Sequence, residues 1–201
     1  MIPGPVPVGS GPTRKVAYQR RAGAVKEAKI STNRLAIFAY GSLLFRPAFA
    51  FLERQRAVVD GYARSFSQSS PDHRGTPQQP GRVVTLVAAP HASTTGALYF
   101  VEAPAFQLLL ELDQRERAGY QRVLLEARTE RDRHQAVTWV APPGNAYDAG
   151  QLPLGELSAH IRQCAGPSGR NADYVFQLEA ALAELNAPDP WVSELSASLR
   201  R

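Results

Sequence analysis

Arg82 to Glu102 reads RVVTLVAAPHASTTGALYFVE. Two β-branched and aromatic runs, RVVTLVAAP and TTGALYFVE, are bounded by proline and glycine, as strands are. Upstream, AVVDGYARSFSQSS alternates in its second half, with Tyr62, Arg64, Phe66 and Gln68 on one expected face. Residues 35–40 form a further apolar, strand-like run. Downstream, QRVLLEARTE and QAVTWVAP return to strand character. Between them, APAFQLLLELDQRERAG predicts a helix over 104–118, with Gly119 as its stop. Six short strands with one helix among them do not suggest alternating βαβ units. They predict an α+β chain, a small mixed or antiparallel β-barrel with flanking helices. The turn-rich PPGNAYDAG precedes those helices, expected over 154–164, 171–185 and 191–199. Gly-Pro-Ser-Gly at 166–169 and Pro188-Asp189-Pro190 punctuate them.

The chain has 201 residues, 44% hydrophobic and 20% charged, enough for one well-buried core. No apolar run approaches the roughly 18 residues that cross a bilayer. The first residues lack the apolar segment of a secretory signal, and Cys164 is the sole cysteine, so no disulfide can form within the chain. A cytoplasmic protein with no membrane association is expected. The formal net charge of +5 points toward nucleic acid, but its distribution points away. Seven of the 23 basic groups and one of the 18 acids fall in residues 1–34, leaving 16 basic against 17 acidic in the body. A Pro- and Gly-rich stretch over 1–33 is therefore expected as a flexible basic leader, with the folded domain over 34–201. No specific nucleic-acid partner is expected, and nothing in the sequence sets an oligomeric state.

Several chemistries find no support. His73, His91, His134 and His160 lie far apart and form no ligand spacing, so no metal is expected. Ser42 follows a strand and a glycine, but Ala-Tyr-Gly-Ser-Leu-Leu is not the G-x-S-x-G of a nucleophile elbow. Cys164 near a helix end reads as structural. No phosphate-cradling glycine motif occurs.

Two features remain. The first is Tyr40-Gly41-Ser42-Leu43, where a core strand stops. Glycine allows a sharp turn and close approach of a ligand. Consecutive N–H groups after such a turn can converge on an anion or a polarised carbonyl oxygen. An ordinary strand-ending turn has the same sequence signature. The second is Glu116. Leu108, Leu112 and Glu116 are four apart and share a helix face, so a carboxylate continues an apolar stripe. It falls in the last helical turn, where the dipole disfavours negative charge. Burial and dipole would both raise its pKa toward the range of a general base or acid. The alternative is a stripe that reaches the surface at residue 116. Asp113, Arg115 and Arg117 are expected to point into solvent.

Taken together, IFAYGSLLFRPAF, GYARSFSQSSPDHRGTPQQPGRVVTLV, TTGALYFV, LDQRERAGY and GPSGRNADYVFQL resemble, in order and spacing, the ChaC-like γ-glutamylcyclotransferases. The resemblance covers about residues 35–199. It implies a small barrel with helices, no cofactor, and cleavage of glutathione to 5-oxoproline and Cys-Gly. It implies that Phe38, Ala39, Tyr40, Gly41, Ser42 and Leu43 form the substrate loop and that Glu116 is catalytic. Ala39 stands where a glycine is common in that family, and Arg117-Ala118 where Lys-Gly is common. Arg74 and Arg82 flank GTPQQPG and either grip the peptide's distal carboxylate or hold their own loop. Tyr120 either lines the pocket or belongs to the core. Competing readings are a cyclotransferase for other γ-glutamyl amino acids or amines, a non-catalytic binding module with a basic tail, and a serine hydrolase.

Overall fold

The structure is a computed structural model, and it describes residues 33–201. The leader expected over 1–33 therefore lies outside the described residues, except for Asn33, whose carbonyl accepts from the Ala103 N–H at 2.9 Å.

Five strands close a barrel: β1 (Arg34–Ala39), β2 (Glu53–Ser70), β3 (Gly81–Glu102), β4 (Gln121–Arg128) and β5 (Arg133–Val140), in the order β1-β3-β2-β4-β5. β1 pairs antiparallel with β3 and, through Ile37 opposite Val137, parallel with β5. The barrel is thus mixed, as expected. Ile37, Val59, Leu86, Leu98, Ala127 and Ala136 are at most 1% exposed and belong to one continuous core. A helix α1 (Phe106–Arg115) connects β3 to β4. Three more follow the barrel: α2 (Leu154–Gln163), α3 (Asn171–Glu184) and α4 (Pro190–Leu199). α3 packs on β3 and on the single helical turn Ser42–Leu44 that follows β1. Among the described residues, no helix is long and apolar enough to cross a membrane.

The six short strands expected from the sequence become five in the barrel, with β2 and β3 long, plus a small ribbon, β6 (Ala165–Gly166) and β7 (Gly169–Arg170), at the Gly-Pro-Ser-Gly turn. The runs 82–90 and 94–102 are one strand. Pro90 lacks an N–H and would normally break a strand. It lies where Asp60 pairs with Ser93 and Tyr62 with Ala88, so the ladder has already lapsed around it.

A second irregularity reaches farther. Ser65 pairs with Thr85 and Gln68 with Val83, so Phe66 and Ser67 together oppose Val84. This β-bulge reverses the alternation. Arg64 lies opposite Leu86 and Gln68 opposite Val83, three residues apart on β3 and hence on opposite faces. The single face expected for Arg64, Phe66 and Gln68 is therefore incorrect, and residues 64–68 are all buried. The bulge also leaves the backbone of Val84 without ladder partners. Two tyrosines supply them: Tyr120 Oη donates to the Val84 carbonyl at 2.5 Å, and the Val84 N–H donates to Tyr174 Oη at 3.4 Å.

α3 is tied to the barrel by Asn171, which is fully buried. Its side chain accepts from the Arg82 N–H at 2.6 Å and donates to the Arg82 carbonyl at 2.8 Å, as a neighbouring strand would. α4 begins at Pro190, with Asp189 Oδ1 accepting from the Trp191 and Val192 N–H groups at 3.1 and 3.3 Å.

Candidate active site

Phe38 to Leu43, the six residues of the expected loop, border a common cavity with Glu116. Its volume is about 300 Å³, and its walls are mainly apolar. The two weak features of the sequence, 73 residues apart, thus face one hollow.

β1 delivers the loop. Tyr40 leaves the strand with its ring buried and its hydroxyl donating to the Trp139 carbonyl at 2.6 Å, at the seam where β1 meets β5. Thr138 Oγ1 donates to the Phe38 carbonyl at 2.8 Å across the same seam. Burial, with Glu116 nearby, pushes the Tyr40 phenol far above its ordinary range, so it remains a neutral donor. At Gly41 the φ is negative, −126°, and the space around the residue calls for glycine. A Cβ there would lie 2.9 Å from Val84 Cγ2 and 3.2 Å from Tyr174 Oη. The N–H groups of Gly41, Ser42 and Leu43 donate to no protein acceptor among the described residues. Leu44 and Phe45 close the turn by donating to the Gly41 and Ser42 carbonyls at 3.0 and 3.3 Å.

α1 delivers the carboxylate. Leu112 is buried and Glu116 follows one turn later, so the expected stripe holds. The helix ends at Arg115 rather than at 118. Glu116 is its C-cap, with φ −92° and ψ 28°, and its N–H still reaches the Leu112 carbonyl at 2.9 Å. Gly119 then takes φ +84°, and a Cβ there would lie 2.2 Å from Asn145 Oδ1. Buried Gln68 fixes the turn by donating to the Ala118 carbonyl at 2.7 Å, and Asn145 Nδ2 donates to Gln68 Oε1 at 3.0 Å.

The Glu116 side chain is 16% exposed. Burial raises its carboxyl pKa above the ordinary value. Arg115 opposes that shift, and Asp72 across the cavity adds to it. Arg115 does not point into solvent as expected. It is 23% exposed, and its Nε lies 3.4 Å from Glu116 Oε1. Its Nη2 donates to Ser42 Oγ at 3.2 Å, and its Nη1 to the Pro47 carbonyl at 3.2 Å. A guanidinium is a planar fork of donors, so one residue can link the carboxylate to the loop. Asp113 is also committed, accepting from Trp139 Nε1 at 2.8 Å. Arg117 alone of the three is solvated as expected, at 74% exposure.

The other sequence candidates separate. Arg74 borders the cavity, with Nη1 on the Arg170 carbonyl at 3.2 Å, Nη2 on Gln177 Oε1 at 3.3 Å, and its guanidinium over the Tyr174 ring. Arg82 does not border it, and its Nη1 donates to the Gly150 carbonyl at 2.8 Å. Tyr120 lines the cavity and also packs against the core, so both of its readings hold. Cys164 is buried away from the cavity beside His160 and the Pro80 carbonyl, and burial raises its thiol pKa. Among the described residues, no group of three His, Cys, Asp or Glu side chains could hold a metal ion.

Asp72, Arg115, Tyr174 and Trp139 also border the cavity and escaped the sequence reading. Only Arg115 carried a signal, its adjacency to Glu116. Tyr174 arrives from α3, held edge-on between Phe45 and Phe66 with centroids 5.7 and 6.3 Å away.

A glutamate whose carboxyl pKa is raised on folding favours the folded state when protonated. That contribution is present below the unfolded pKa and lost as pH rises through the raised one. At neutral pH the ionised Glu116 therefore lowers stability. Glu116→Gln is expected to melt at or above the temperature of the parent at pH 7, with the difference shrinking toward about pH 4. A clear drop in melting temperature at pH 7 would contradict the assigned burial.

The family model for ChaC-like proteins matches residues 35–201. Gamma-glutamylcyclotransferase 2-3 of Arabidopsis thaliana is 37% identical over 174 residues, covering 82% of this chain and 87% of the relative. Human glutathione-specific gamma-glutamylcyclotransferase 1 is 32% identical over 201 residues, covering 97% and 87%. The crystal structure of a glutathione-specific gamma-glutamyl cyclotransferase from yeast superimposes with a TM-score of 0.78 at 25% identity, covering 84% of this chain and 96% of that one.

Proposed function

This chain belongs to the ChaC-like protein family, and from that membership we propose that it is a γ-glutamylcyclotransferase acting on glutathione, releasing 5-oxoproline and Cys-Gly. One observation carries the reading: a buried carboxylate, Glu116, shares a cavity with a bend whose N–H groups are unsatisfied.

The reaction is an intramolecular aminolysis. The α-amino nitrogen of the γ-glutamyl group attacks its own γ-carbonyl carbon, and a five-membered lactam closes. The peptide C–N bond breaks, and the cysteinyl nitrogen leaves with Gly. The α-amine reaches the site as an ammonium without a free lone pair. Glu116 takes one proton so that the nitrogen can attack, and the attacking nitrogen sheds a second as the lactam forms. The carboxylate passes both in turn to the departing amine, which leaves as an ammonium, so the carboxylate ends as it began. No water, metal or acyl-enzyme enters the balance. The protein's main contribution is to hold nitrogen and carbon roughly 3–3.5 Å apart. A cavity near 300 Å³ lies at the small end for ligand sites and favours a folded substrate.

The Gly41 to Leu43 amides receive the γ-glutamyl end, at its α-carboxylate or at the oxyanion that develops on the γ-carbonyl. Loss of one oxyanion donor typically lowers kcat by ~10²–10³. Arg74 keeps donors free beside the cavity and suits the distal glycine carboxylate. Arg82 holds its own loop. The thiol of Cys164 has no part in the reaction. Ala39 pairs with Ala97 in the sheet and borders the cavity. A cytoplasmic location belongs to the same reading, since glutathione is an intracellular thiol and the chain's one cysteine is free.

Incubation with glutathione is expected to yield 5-oxoproline and Cys-Gly in equal amounts, and Glu116→Gln is expected to yield neither while remaining folded. Normal turnover by the folded variant would remove Glu116 from the reaction.

Because only ionised Glu116 can accept the proton, kcat/KM is expected to fall as pH drops through its raised pKa. Asp72 raises that pKa. Asp72→Asn is therefore expected to move the acid limb to lower pH. A limb that stays fixed, or moves upward, would show that Asp72 does not act on Glu116.

A further inference from the structure

Arg64 is among the most enclosed charges in the protein, its side chain 2% exposed, yet it does not border the cavity that holds Glu116. Its guanidinium reaches three separate segments. Nε donates to the Tyr40 carbonyl at 2.9 Å. Nη1 donates to Asp189 Oδ2 at 2.7 Å, and Nη2 donates to the Thr95 carbonyl. Asp189 neutralises it while capping α4. Ion pairing alone would need only the Asp189 contact. The bond to Tyr40 does something else.

Tyr40 carries the last carbonyl before the bend. In a trans peptide the C=O and the following N–H point in opposite directions. With the Tyr40 oxygen drawn toward Arg64, the Gly41 N–H is turned away from Arg64. Gly41 itself borders the cavity, and its N–H has no protein acceptor among the described residues. The Tyr40 hydroxyl on Trp139 anchors the ring but leaves the peptide plane free to rotate. The next backbone restraint is the Leu44 N–H on the Gly41 carbonyl, beyond that plane.

We propose that Arg64 is a positioning residue, which fixes the plane of the Tyr40–Gly41 peptide so that the Gly41 N–H is presented to the substrate. The proposal rests on the cyclotransferase reading for its substrate but not for its geometry. It also explains why arginine occupies the site. Lysine could pair with Asp189, but its single ammonium cannot meet three acceptors in the planar fork of a guanidinium.

Two variants separate positioning from stability. Arg64→Lys keeps a cation for Asp189 and loses the Nε–H bond to Tyr40. Asp189→Asn weakens the ion pair, keeps a capping oxygen and leaves the Tyr40 bond in place. Both are expected to lower the melting temperature. Arg64→Lys is expected to lower kcat/KM for glutathione at least about tenfold, with the acid limb of the pH profile unmoved. It is also expected to speed amide exchange at Leu44 and Phe45, which close the bend, while β4 and β5 exchange as before. Asp189→Asn is expected to hold kcat/KM within about twofold and leave those two amides unchanged. The proposal is overturned if Arg64→Lys retains kcat/KM with unchanged exchange at the bend, or if Asp189→Asn loses as much activity as Arg64→Lys. A parent protein that releases no 5-oxoproline would sink the cyclotransferase reading. The exchange comparison would still decide whether Arg64 fixes the bend.

Discussion

One carboxylate enclosed at the end of a helix sets the terms for the rest of this structure. Water would solvate Glu116 far better than the cavity does. The helix dipole at a C-terminus adds to the penalty. A single adjacent cation, Arg115, offsets part of it, and that cation is itself tied to the bend through Ser42 Oγ. The carboxylate and the bend are therefore mechanically connected as well as neighbouring. Nothing in this arrangement serves stability, since a neutral side chain would sit there at lower cost. That cost fits the proposed role, because an enclosed carboxylate is a stronger base than one in water.

The barrel supplies rigidity where the chemistry needs it through an irregularity. The bulge at Phe66 and Ser67 strips Val84 of its ladder partners. The hydroxyls of Tyr120 and Tyr174 take over, and both rings line the cavity. The same bulge sends Arg64 to one face and Gln68 to the other. Arg64 grips the carbonyl that precedes the bend, and Gln68 grips the turn that follows Glu116. A defect in a strand thus orients both halves of the site from behind. Breaking the buried Arg64–Asp189 pair by removing one partner would typically cost about 3–5 kcal/mol, which gives this support a structural price as well as a chemical use.

The legible part of the fold was its local chemistry. β-branched runs gave the strands, the apolar stripe gave α1, and Gly119 marked the turn after it because it needs a positive φ. The stripe also exposed Glu116 as an anomaly, and Gly41 drew attention to the bend. The parts that were not legible depend on pairing between distant residues. Pro90 looked like the end of a strand because its tolerance depends on a lapse in pairing with β2. Alternation failed at Gln68 because a bulge leaves no signature in a chain read one strand at a time. Arg115 looked solvated because helical spacing cannot show that Ser42 and Pro47 would be waiting opposite it. Asp72 and Tyr174 come from a loop and a helix that meet the cavity only after the barrel closes.

The protonation state of the Glu116 carboxyl group can be read directly. Side-chain carboxyl carbons can be followed by NMR through a pH titration of the glutamate-labelled protein, with Glu116→Gln identifying the resonance. The Glu116 signal is expected to titrate clearly above the ordinary glutamate value of about 4.3. A midpoint at or below that value would contradict the enclosed base on which the site depends.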